Sequence, residues 1–159
     1  MALSKEIRDQ LFEASLELLE QWAVNKNWMV EFEYLGKDEM DPGSKTISIS
    51  TRQSLENQVY TMLHECGHVL VQTNHAAYAK RYPATAKMNM CSAIDRRLEK
   101  TKKYKVDVLS EEIEAWQRGL KLADRLGIYV EKDNYIKIMN RCIFSYVEWA
   151  AGLPGYGRK

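Results

Sequence analysis

Apolar residues recur at helical spacing over residues 3–24, where Leu3, Ile7, Leu11, Leu18 and Trp22 mark a stripe with Glu and Arg between them. A period near 3.6 predicts an amphipathic helix with that stripe turned inward. The pattern then changes to alternation. Trp28 to Tyr34 sets apolar and acidic side chains by turns, and Thr46 to Ser50 keeps a strict two-residue period. Both read as strands, joined by a polar turn from Gly36 to Lys45 around Asp41-Pro42-Gly43. Ser50 or Ser54 is placed to cap a helix over about 54–72.

The middle of the chain is less regular. Residues 73–83 extend the helical pattern as far as Pro83, and 84–109 show no clear period. Ser110, followed by Glu111 and Glu112, has the form of an N-cap with acids in the first turn. That helix runs to about Leu126, and Gly127 suits the position just past its end. Asp133 or Asn134 caps a last helix ending near Ala151-Gly152. Residues 153–159 read as a flexible tail. The elements define an α+β class, mostly helical with a small β-sheet, in a single domain over residues 1–152.

At 159 residues the chain can bury one substantial core. Its 23 Lys and Arg nearly balance 22 Asp and Glu, so it lacks the overall basic excess of many nucleic-acid binders. One stretch departs from this balance. Arg96 to Lys105 holds six cations and one acid. It reads as a weak nucleic-acid contact, as a lid over a cleft or, most simply, as a solvated mobile loop. No apolar run approaches the roughly 20 residues of a membrane helix, and the N-terminus has no apolar signal core. No membrane partner is expected, and the expected location is the cytoplasm. Cys66, Cys91 and Cys142 form neither a disulfide framework nor a C-x-x-C pair, and Cys66 reads as a small core residue.

The chemistry lies in Leu63-His64-Glu65-Cys66-Gly67-His68-Val69, an H-E-x-x-H motif. Side chains four apart on a helix stand one above the other, so two imidazoles converge on one ion. The Glu after the first His can reach a zinc-activated water without binding the metal, and serves as general base. On a helical wheel His64 and His68 lie within about 40° of each other, with Glu65 and Thr61 near them. Val59, Met62, Leu63, Cys66 and Leu70 form a continuous apolar back. The helix therefore buries one face and offers the motif on the other.

A catalytic zinc site needs a third protein ligand and an open position. His75 is the one other histidine, but it falls seven residues after His68, about 10 Å along a straight helix. Glu112 is the better candidate. Ile113, Ala115, Trp116, Leu120, Leu122, Ala123 and Leu126 fall on either side of it, so it occupies the centre of an apolar face. A carboxylate there needs a partner, either a metal or a buried Arg or Tyr. Glu111 and Glu114 fall on the opposite arc and read as solvated acids.

H-E-C-G-H followed by Glu112-Ile-Glu-Ala-Trp116 resembles the small gluzincin metallopeptidases, and most closely in style the ImmA/IrrE-type family of phages and bacteria. The resemblance covers roughly residues 46–127. It implies a zincin-like fold with the motif on its active-site helix. It also implies one Zn²⁺ per chain on His64, His68 and Glu112, with Glu65 as the catalytic base. In that pattern Trp116 stands where relatives carry a small polar residue that steadies a zinc histidine. The expected function is zinc-dependent hydrolysis of a protein or peptide substrate. The alternatives are a catalytically inactive, regulatory or nucleic-acid-associated module of the same fold, and a protease recruited to DNA by the basic stretch. Tyr78, Tyr82, Tyr104, His75 and Tyr146 are available to stabilise an oxyanion, and Thr46 to Ser50 could serve as an edge strand for the substrate.

Overall fold

The computed structural model describes residues 3–153. They form an α+β fold, mostly helical with one small mixed sheet. The elements in chain order are α1 (Lys5–Asn25), β1 (Met29–Glu33), β2 (Glu39–Asp41), β3 (Thr46–Ser50), α2 (Leu55–Gln72), α3 (His75–Arg81), α4 (Pro83–Asn89), α5 (Arg96–Glu99), α6 (Lys102–Leu126) and α7 (Lys132–Ala150). Residues 154–159, most of the expected tail, lie outside the described residues.

The chain divides into two compact units, with the division falling inside helices α2 and α6. The first unit comprises Met1–Leu70 and Ala115–Glu131. Ser4 caps α1, its hydroxyl accepting from the Ile7 N–H. The inward stripe of α1 is Phe12, Ser15, Leu19 and Ala23, whereas Leu3, Ile7 and Leu18 are exposed. The expected stripe is thus displaced to a neighbouring face, because two of the smallest side chains, Ser15 and Ala23, take inward positions.

The sheet order is β1-β3-β2, with β1 parallel and β2 antiparallel to β3. Two sequence expectations change here. The segment read as one polar turn contains β2, whose Met40 pairs with Ile47. Thr46–Ser50 is the central strand, paired with β1 along its whole length and with β2 over residues 46–48, so it is not the free edge strand expected for strand addition. Its Ile47 and Ile49 are fully buried, with Val59, Met62, Leu63 and Cys66 of α2. The C-terminal half of α6 adds Ala115, Trp116, Leu122 and Ala123 to the core of this unit. α6 ends at Gly127, which adopts φ +68°, while the Ile128 N–H returns to the Ala123 carbonyl in a Schellman-type cap.

The second unit comprises Val71–Glu114 and Lys132–Lys159. Its core groups Ala84, Met88, Tyr104 and Val108, with Leu98, Tyr146 and Trp149 packed against them. The stretch expected to be irregular is helical. Asn74 caps α3, Pro83 opens α4 at a position that needs no N–H, and Asp95 caps α5. Ser110 is not a cap but lies inside α6, which starts two turns earlier at Lys102. The basic stretch Arg96 to Lys105 is therefore not a loop. It is α5 and the first turn of α6.

Candidate metal centre

α2 carries the H-E-x-x-H motif on one continuous helix. His64 and Glu65 are buried and His68 is half-buried. The two imidazoles converge, with His64 Nε2 and His68 Nε2 3.2 Å apart. One ligand atom from each of His64, His68 and Glu112 lies within 4.8 Å of the other two. Among the described residues this is the group of His, Cys, Asp and Glu close enough to hold a metal ion. His75 is outside it, exposed at the start of α3.

The donor set fits a zinc ion. Two nitrogens on a tetrahedral zinc at about 2.0–2.1 Å are separated by about 3.3 Å, close to the observed spacing of the imidazoles. Two neutral imidazoles and one carboxylate are also the donors that a borderline-soft dication prefers in a three-ligand site.

Two contacts within the first unit position the histidine helix. The first is a backbone crossing. A Cβ placed on Gly67 would lie 1.9 Å from the Ala115 carbonyl oxygen and 2.7 Å from its carbon. Only glycine allows α2 and α6 to approach so closely. Gly67 stands between the two histidines, and Ala115 lies three residues after Glu112 and one before Trp116. The second contact is a stack. The Trp116 indole lies 4.3 Å from the His64 ring, with an interplanar angle of 18°. Trp116 is buried, so the indole holds the plane of His64 by packing.

Asp38, just before β2, adds a carboxylate in the field of His64. It accepts from the Ser50 N–H at 2.8 Å and from Gln53 Nε2 at 3.0 Å. Burial pushes its pKa upward, and these two hydrogen bonds and the His64 charge offset only part of that rise.

The acids flanking Glu112 are buried, contrary to the wheel. Glu111 accepts from the Tyr78 hydroxyl at 2.8 Å and from Gln72 Nε2 at 3.0 Å. Glu114 accepts from the Tyr82 hydroxyl and from Arg81 Nη1, the latter at 2.7 Å. One turn earlier Asp107 accepts from the Ala84 N–H at 2.7 Å. Charge-assisted bonds offset the cost of burying these carboxylates. The signal in the sequence is a matched spacing, Tyr78 on α3 and Tyr82 at its C-cap four residues on, facing Glu111 and Glu114 three apart on α6. Burial and the neighbouring carboxylates push the pKa of both tyrosines up. Four of the five side chains considered for an oxyanion are thus engaged elsewhere: Tyr78 and Tyr82 on carboxylates, Tyr104 and Tyr146 in the core of the second unit.

No protein-family profile, no curated protein and no solved structure matches the chain.

Proposed function

We propose that the protein is a zinc-dependent metallopeptidase acting on protein or peptide substrates, with one zinc per chain on His64, His68 and Glu112. The observation that carries this reading is the convergence of the two motif imidazoles at 3.2 Å with a ligand atom of Glu112 in the same 4.8 Å group. Zinc held there would supply a Lewis acid for activating water. Glu65 is the general base. Its carboxylate takes a proton from the attacking water and passes it to the departing amine nitrogen. Burial of Glu65 and of both its neighbours on the helix, His64 and Cys66, limits competing bulk water around that transfer.

The test pairs metal analysis with peptide cleavage. Elemental mass spectrometry of the purified chain should find about one zinc per chain, and Glu112→Gln should lose most of it. An unstructured peptide library offered to the zinc-loaded protein should be cleaved, and Glu65→Gln should abolish cleavage while keeping the metal. Full zinc retention in Glu112→Gln would remove Glu112 from the site. Zinc binding without any cleavage would leave a metal-binding module of regulatory type. No zinc uptake at all would remove the metal reading.

A further inference from the structure

The net charge of +1 conceals a division. The first unit carries nine Lys and Arg against fourteen Asp and Glu. The described part of the second carries twelve Lys and Arg against eight acids. Four of those eight, Asp107, Glu111, Glu112 and Glu114, are buried. With Arg81 paired to Glu114, eleven further cations stand against four surface acids on the described part of the second unit. Its densest part is the helical stretch at α5 and the start of α6. Arg96, Arg97, Lys100, Lys102 and Lys103 are all exposed there, whereas Lys105 is committed to the Ala150 carbonyl at 3.0 Å. Because Asp95 caps α5 and Tyr104 anchors the first turn of α6 in the core, these five charges are held by folded backbone.

We propose that this surface of the second unit binds the phosphodiester backbone of duplex nucleic acid without reading sequence. Charge complementarity points to a polyanion, since clustered cations release counterions from a phosphate array. Within the basic stretch itself the aromatic content points to a duplex, the exposed Phe144 lying outside it on α7. Single-strand binders stack bases on exposed rings, and Tyr104, the one aromatic residue in the stretch, is 1% exposed. Backbone contacts without base-edge readers give non-specific binding, with Kd of about 10⁻⁴ to 10⁻⁶ M at physiological salt. The proposal is independent of the metallopeptidase reading, because it uses none of His64, Glu65, His68 or Glu112.

The test is fluorescence anisotropy of a labelled DNA duplex titrated with the whole protein over a range of salt concentrations. Three to five phosphate contacts predict a log–log slope of affinity against salt of about −3 to −4.5. Arg96→Gln with Arg97→Gln should weaken binding and reduce the steepness of that slope by about 2. Lys121→Gln with Arg125→Gln, exposed cations of the first unit, should leave both unchanged. All four residues lie near the surface, so circular dichroism should show each variant folded. Anionic phospholipid vesicles form a second arm, because Met90 and Ile94 beside the stretch are 89% and 69% exposed. Binding to vesicles but not to the duplex would overturn the assignment. So would an undiminished slope in the Arg96 and Arg97 variant, or no duplex binding at low salt.

Discussion

Replacing Gly67 by alanine tests the crossing on which the metal centre depends. The added Cβ would meet three backbone atoms of Ala115, at 1.9, 2.7 and 3.0 Å. None of them can rotate away as a side chain can. Restoring an ordinary contact of 3.4 Å to the carbonyl oxygen requires the helices to separate by about 1.5 Å. Overpacking of this kind typically costs about 1–3 kcal/mol, and a clash with backbone belongs at the upper end. Alanine offsets part of this, since it is favoured over glycine in a helix interior by about 0.5–1 kcal/mol. A net loss of about 2 kcal/mol corresponds to a Tm lowered by about 4–8 °C for a chain of this size. The two effects are separable. Thermal denaturation of the chelator-treated protein reads the crossing itself. Zinc competition against a chelator reads the ligand geometry, which should weaken at least tenfold because Trp116 and Glu112 move with α6. An unchanged or raised Tm in Gly67→Ala, with unchanged zinc affinity, would refute the close approach and its role.

Two further outcomes follow from contacts already described. Trp116→Ala should lower zinc affinity about 10–100-fold, the range for partners that orient a ligand, and Trp116→Phe should recover most of it. Cobalt binding should quench tryptophan fluorescence in the wild type and much less in the Phe variant, which reads the proximity of Trp116 to the bound ion. At high pH the buried tyrosines should drive unfolding. Burial raises the pKa of Tyr60, Tyr78 and Tyr135 far above that of the unfolded chain. Their neutral form is favoured in the folded state, so their stabilising contribution is full below about pH 10 and falls as pH rises beyond it. Three such groups can remove up to about 4 kcal/mol per pH unit, enough to unfold a domain of ordinary stability within a few units. Tyrosinate absorbance should then rise together with loss of helical circular dichroism. A smooth tyrosine titration near pH 10 with the helices intact would contradict this.

The grouping of His64, His68 and Glu112 and the α+β class were legible in the sequence, whereas the bounds and order of several elements were not. An i, i+4 pair of histidines has one geometric meaning on a helix, and Glu112 was visible as a charge centred on an apolar arc. Glu111 and Glu114 were misread because a wheel counts every carboxylate as outward-facing, whereas these two are bonded to tyrosines more than thirty residues away. The start of α6 was hidden for a related reason. Its first two turns bury only Tyr104, Asp107 and Val108 among exposed cations, too few apolar positions to set a period. Strand order was out of reach altogether. A three-residue strand beside Asp-Pro-Gly resembles a turn, yet that strand is what makes Thr46–Ser50 central.

The carboxylates of α6 act together as a detent. Asp107, Glu111 and Glu114, at i, i+4 and i+7 along one face of the helix, each rest on donors belonging to other parts of the second unit. Turning α6 by one residue, about 100°, would carry all three away from their donors at once. The helix thus has one angular setting and no gradual path to the next. Glu112, next to Glu111 and two before Glu114, has its angle about the helix axis held by these two neighbours.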